Sequence, residues 1–237
     1  MNIIIEKEVK GKQNNVLIKE PSDWLRYAPP RGGMKQWKDG FSAKEFAKYV
    51  LSNQKAFEHH IESILSKTGT DLISDFIGIP EATVDLGDGK GNGRKPDLQL
   101  IGEKCIMSIE AKVNESFGST VDSAKKSLRT KEERPLYLAQ YLFGENRPNN
   151  FDSLRYQLLT ATVGAIQSAK QENKHYAYML VIDIKEKAPQ KETSNEKAFK
   201  EFCDALKITP GGYITIKGVI CWINMITVIK DTHYILR

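Results

Sequence analysis

At 237 residues, with 40% of them hydrophobic, the chain is long enough for one large domain with a sizeable core. Its net charge of +5 is mild and interleaved, which permits a phosphate-bearing partner without demanding one. Cys105, Cys203 and Cys221 are too scattered for a metal pattern and odd in number for a disulfide framework, and no apolar run has the length of a signal peptide or membrane span, so a cytoplasmic protein is expected.

Residues 1–40 mix a short apolar run with Trp24, Tyr27, Pro29-Pro30, Gly32-Gly33 and Trp37. They read as an ordered arm whose aromatics pack on the domain; stacking on nucleic acid is the sharper alternative. Ser42-Ala43-Lys44-Glu45 has the spacing of a capping box that opens a helix. Phe46, Tyr49 and Val50, then Phe57, Ile61, Ile64 and Leu65, recur at helical spacing, as one long helix or as two broken near Ser52-Asn53. Gly69 ends it. Glu58 borders the apolar face and Glu62 lies further round. His59 and His60 are adjacent and point different ways, so solvated or capping roles are expected. Residues 79–86 read as a strand. Asp85 to Gly93 is a glycine-rich hairpin loop with neither the Gly-Lys-Ser/Thr of a phosphate loop nor the acid spacing of a calcium loop. Its reading is a flexible turn, with Lys90, Arg94 and Lys95 as a basic tip suited to a nucleic-acid backbone.

Residues 96–112 (PDLQLIGEKCIMSIEAK) read as two strands around a tight turn. Strand side chains alternate between faces. Cys105, Met107, Ile109, Ala111 and Val113 therefore share one face, and Ser108, Glu110 and Lys112 the other. Leu98 and Leu100 fall opposite Asp97 and Gln99 in the same way. A turn centred on Glu103 and Lys104 sets Asp97 directly across from Glu110, with Cβ atoms roughly 5 Å apart. Two carboxylates that close repel unless a cation lies between them, and a hard divalent ion with oxygen ligands suits. Lys112 would point at whatever that ion holds.

Beyond the hairpin, residues 121–143 carry Lys125, Lys126, Arg129, Lys131 and Arg134 against Asp122, Glu132 and Glu133. This is a solvated helix face and the best local candidate for a phosphate-contacting surface. A helix runs from after Asp152 to about Gln171, with Leu154, Leu158, Ala161 and Ala165 on one face and Gln157 at its border. Tyr176 to Ile184 is a buried strand, Asn195 to Lys207 an amphipathic helix, and 213–229 strand with a bend at Gly218. The apolar run 219–229 is expected in the core, with a dimer contact as the alternative.

Pro96-Asp97 followed by Glu110-Ala111-Lys112 resembles the PD-(D/E)xK signature of the restriction-endonuclease-like nuclease superfamily. The order from 41 to 184, helix, three strands, helix, strand, is similar to that superfamily's core. The resemblance implies an α/β fold with a mixed central β-sheet flanked by helices (αβββαβ). It divides a single domain into an arm (1–40), a core (41–184) and a C-terminal helix and strand extension (185–237). It implies Asp97 and Glu110 as ligands to magnesium, with manganese as substitute, joined by the Ala111 carbonyl. Lys112 would assist the attacking water in phosphodiester hydrolysis, on DNA as substrate. Glu58 is the candidate for the acid some members place on the first helix, Gln157 for a supporting glutamine, and Glu115 for a second-rank acid. The rival expectation is a module that keeps the fold and binds nucleic acid or protein without turnover. Monomer and homodimer both stay open.

Overall fold

In the computed structural model, residues 1–68, 72–89, 93–127, 133–230 and 235–236 are described. Gly69, Lys90, Arg129, Lys131 and Glu132 lie outside them.

The strands are β1 (Ile3–Lys7), β2 (Val16–Leu17), β3 (Phe76–Pro80), β4 (Leu98–Ile101), β5 (Cys105–Val113), β6 (Tyr176–Lys185), β7 (Tyr213–Ile216), β8 (Val219–Ile229) and β9 (Ile235–Leu236). The helices are α1 (Pro21–Tyr27), α2 (Ser42–Ser52), α3 (Gln54–Ser66), α4 (Val121–Lys125), α5 (Glu133–Phe143), α6 (Tyr156–Gln171) and α7 (Ser194–Ala205). One mixed sheet takes every strand, in the order β2-β1-β3-β4-β5-β6-β8-β7, with β9 against β8. The β3–β4 and β4–β5 pairs are antiparallel, and β5, β6 and β8 run parallel. Among the described residues no helix is long and apolar enough to cross a membrane.

Parallel strands must be covered on both faces, and these are. All nine residues of β5 are buried. Cys105, Met107, Ile109, Ala111 and Val113 join Leu98 and Leu100 in a core with Phe46, Tyr49, Phe57 and Ile61 of α2 and α3. On the other face Ile106, Met179, Val181 and Ile223 pack against Leu158, Ala161, Ala165 and Ile166 of α6 and Phe199 and Phe202 of α7. The alternation expected for the two hairpin strands holds in β4 and β5. The face that carries Ser108, Glu110 and Lys112 is also roofed, by α6.

The coarse order of the core is as expected, and the chain breaks into two helices at Asn53. The arm is packed: Trp24 and Trp37 are buried. It also supplies β1, which the sequence reading took only as an apolar run. Residues 213–229 form a hairpin about Lys217 and Gly218, both at positive φ, as type I′ turns require. The run 219–229 is the buried strand β8.

Four local expectations are corrected. The strand placed at 79–86 runs from Phe76 to Pro80 and stops there, because Glu81 turns into the left-handed region at φ +48°. The capping box is not formed: Phe41 is the cap residue, and Glu45 accepts from Gly40 N–H at 3.2 Å inside the fold. His60 is buried and hydrogen-bonded to the Tyr49 hydroxyl, while His59 faces solvent. Residues 121–143 hold two helices, α4 and α5. Lys125 and Lys126 pair with Asp152 and Asp122, and Arg134 turns inward onto the buried Asp88 carboxylate.

Gly78 lies where β1, β3 and β4 meet. A Cβ there would stand 2.4 Å from Ile5 Cδ1 and 3.1 Å from Leu100 Cδ2. Gly78→Ala is expected to lower stability by about 1–3 kcal/mol, the usual range for overpacking. Urea melts of the two proteins measure it, and an unchanged midpoint would mean that Ile5 repacks freely.

Candidate functional site

Proline and a two-residue turn set the site. Gly102 N–H donates to Cys105 O at 2.9 Å across Glu103-Lys104, and β4 pairs with β5 from Ile101↔Ile106 to Leu98↔Ile109. One step further, Asp97 faces Glu110, as the hairpin register predicts. Antiparallel pairs alternate between hydrogen-bonded and non-hydrogen-bonded. In this register 102/105, 100/107 and 98/109 are the bonded pairs, so 96/111 would be the next. Pro96 has no N–H to give, so the ladder partner of the Ala111 carbonyl is missing at that step. The Ala111 N–H turns instead to the Asp97 carboxylate, Oδ2, at 2.7 Å. The proline thus ends the ladder where the acids begin.

Glu110 is buried, its side chain 5% exposed, with a hydrogen bond at Oε2 and an ion-pair contact but no hydrogen bond at Oε1. Arg94 Nη2 pairs with Oε1, and Gln157 Nε2, in the first turn of α6, donates to Oε2. Lys112 lies on the same face with its side chain 8% exposed. Its ion-pair partner, Glu115 Oε1, stands at 3.7 Å, beyond good hydrogen-bond reach. The structure therefore brings together Asp97, Glu110, Lys112, Gln157 and Glu115. It does not bring Glu58. That side chain accepts from Ile3 N–H at 3.0 Å, beside Gln54, which donates to Ile3 O at 2.9 Å. Ile3 pairs with Phe76, at the far end of β3 from Asp97. Glu58 is thus removed from the candidate site.

Two residues that the sequence reading did not place here belong to it. Pro80 pairs with Leu98, so the next step sets Glu81 beside Asp97, and Glu81 N–H donates to Asp97 O at 3.3 Å. Its carboxyl is pushed up to about 7, by burial first and by Glu110, against the lowering pull of Lys95, Lys7 and Arg94. The second is Arg94, read from sequence as part of a basic loop tip. It bridges to Val84 at the neck of that loop and is buried against Glu110. Asp97 itself is pushed up to about 8, by burial and then by Glu110 and Glu81, with the Ala111 N–H and Lys112 pulling the other way. Acids from three neighbouring strands crowd one end of the sheet, and their mutual repulsion calls for a cation.

Among the described residues no three or more His, Cys, Asp or Glu side chains are grouped as a ready-made metal cage. Magnesium commonly needs less: one or two carboxylates, with waters completing its shell. Asp97, Glu110 and a carbonyl without a ladder donor are a hard-oxygen set of that kind. A cavity of about 560 Å3 lies elsewhere, beside α7, lined by Pro189, Lys191, Glu196, Lys200, Pro210 and Thr227. It touches none of the three signature residues.

The family model described as a domain of unknown function, DUF6946, matches residues 17–231, and the chain belongs to that family. No curated protein and no solved structure matches it.

Proposed function

We propose that this member of the DUF6946 family is a divalent-metal-dependent phosphodiester hydrolase on a restriction-endonuclease-like core, acting on DNA. One observation carries the reading: Asp97 and Glu110 oppose each other across the end of a hairpin, with Lys112 on the same face and Gln157 fastening Glu110. Asp97, Glu110 and the Ala111 carbonyl would hold magnesium, or manganese in its place. When bound, such an ion neutralises phosphate oxygens and lowers the pKa of coordinated water. Lys112 takes or holds the proton of the attacking water and faces the charge that grows on the phosphoryl group, work that suits a desolvated lysine. Gln157 keeps the Glu110 carboxylate in one orientation. Glu115 gives the Lys112 ammonium a direction.

The test is cleavage of supercoiled and linear DNA by the purified chain with magnesium. The wild type is expected to cut, and Asp97→Ala and Lys112→Ala to lose cutting by a factor of about 10³, the scale for removing a principal stabilising group. Undiminished cutting by both variants sinks the assignment. A second reading, a binding module without turnover, is favoured by the contacts of Arg94 and Gln157 with Glu110 and the burial of Lys112. Calorimetry separates the two: magnesium or manganese binding that disappears in Asp97→Ala rules against the module.

A further inference from the structure

We propose that Arg94 is the resident cation of the acid pair, and that a divalent metal reaches Glu110 only by displacing the Arg94 guanidinium. This rests on the reading of Asp97 and Glu110 as a metal site. The Arg94 and Glu110 side chains are in contact and only 8% and 5% exposed, so the pair is desolvated. Guanidinium does not lose its proton in proteins, so this neutralisation is present at every working pH. Gln157 takes one lone pair of Oε2 and Arg94 sits against Oε1, so a divalent ion on either oxygen stands beside a buried guanidinium. Two cations on one buried carboxylate repel, so one must leave.

The neighbouring backbone says what can move. Val84 and Arg94 exchange two hydrogen bonds, at 2.8 and 2.7 Å, which pin the Arg94 main chain. Gly93 beside it has no room for a side chain: a Cβ would stand 2.4 Å from Val84 O. Withdrawal is therefore a side-chain swing along α6, where Gly164 leaves space for the arginine stem, its Cδ 3.4 Å from where a Cβ would be. An independent sign that the site awaits an anionic ligand is Lys112. It is nine-tenths buried on the same face, and its partner Glu115 is out of hydrogen-bond reach. A guanidinium on Glu110 and an ammonium held back from its acid describe a closed form of the site.

The experiment compares wild type, Arg94→Gln and Glu110→Gln by manganese titration calorimetry and by melting with and without manganese. Competition predicts that Arg94→Gln binds manganese at least about tenfold more tightly, since one pKa-sized unit of interaction is a factor of ten. It also predicts that Arg94→Gln melts below wild type in chelator and gains more than wild type from manganese. Glu110→Gln should lose binding. Equal or weaker binding by a folded Arg94→Gln overturns the displacement while leaving the metal site standing. Absence of binding in wild type and Arg94→Gln alike overturns both. Should Arg94→Gln fail to fold, Arg94→Lys keeps the charge on a shorter, point-like group. It is expected to bind manganese about threefold more tightly than wild type, half of that tenfold step in free energy. No gain there likewise refutes displacement.

Discussion

Asp97→Asn is expected to abolish magnesium-dependent cleavage and, in the same protein freed of metal by chelator, to raise the melting temperature at pH 8. The two effects have one cause. Asp97 is packed between Glu110 and Glu81, and its carboxyl is pushed up to about 8 by burial and by those neighbours. A group with a raised carboxyl pKa in the fold binds more protons folded than unfolded. Stability is therefore lost as pH climbs from the unfolded value, near 4, to the folded one. Glu81, pushed up to about 7, adds to the same trend in the same window. Asparagine keeps the acceptor for the Ala111 N–H and removes the charge, so the variant should lose much of this pH sensitivity. One unit of pKa difference is about 1.4 kcal/mol. At about 2–4 °C per kcal/mol for a chain of this size, the expected rise at pH 8 is at least about 3 °C. At pH 4 the two proteins should melt together. A variant that melts lower than wild type at pH 8 would show that the three acids do not repel, and the case for a cation there would go with it.

Glu45→Ala is expected to cost the fold about 3 kcal/mol, although the residue lies outside the candidate site. The Glu45 side chain is fully buried in the first turn of α2, yet its carboxyl is held below the ordinary value. Burial opposes this, and Lys230, the Gly40 N–H and Lys48 together outweigh it. Lys230 Nζ lies 2.9 Å from Oε2 and also reaches Glu186, after β6, at 3.0 Å, so one carboxylate ties α2 to the ends of β6 and β8. Removing one partner of a buried pair costs about 3–5 kcal/mol. Lys230 and Lys48 are each about a third exposed and rehydrate when released, so about 3 kcal/mol is expected here. Urea melts at pH 7 measure this. The sign with pH is opposite to that of Asp97: a depressed carboxyl stabilises above its unfolded pKa, and the benefit fades as pH falls through the folded value. A loss under about 0.5 kcal/mol at pH 7 would mean that desolvation cancels the pairing.

How far the site could be read beforehand follows from the range of the interactions that build it. Asp97 and Glu110 are 13 residues apart and meet through a two-residue turn, so alternation and turn position sufficed. Helical spacing puts Gln157 at the border of the face that packs on β5, but only the resemblance to the nuclease superfamily pointed to it as a site residue. Glu81 was not, since a strand carried through to residue 86 hides the left-handed break after Pro80 that brings it beside Asp97. Arg94 was misjudged for a general reason: a charge in a glycine-rich loop reads as solvated, and only the third dimension shows a buried acid within its reach. Glu58 failed differently. Its place at the edge of the apolar helix face was right, but the group that meets it there comes from 55 residues away, in β1.

That meeting has a consequence for association. An outermost β-strand offers unsatisfied N–H and C=O groups to any passing extended chain, and this is a common start of aggregation. In β1 most groups on the outer side are met within the chain: Glu58 and Gln54 fill those of Ile3, Ile18 N–H fills the Ile5 carbonyl, and β2 pairs along Glu6 and Lys7. Along β1 a second copy therefore finds few free groups to pair with, and the strand outside it, β2, is two residues long.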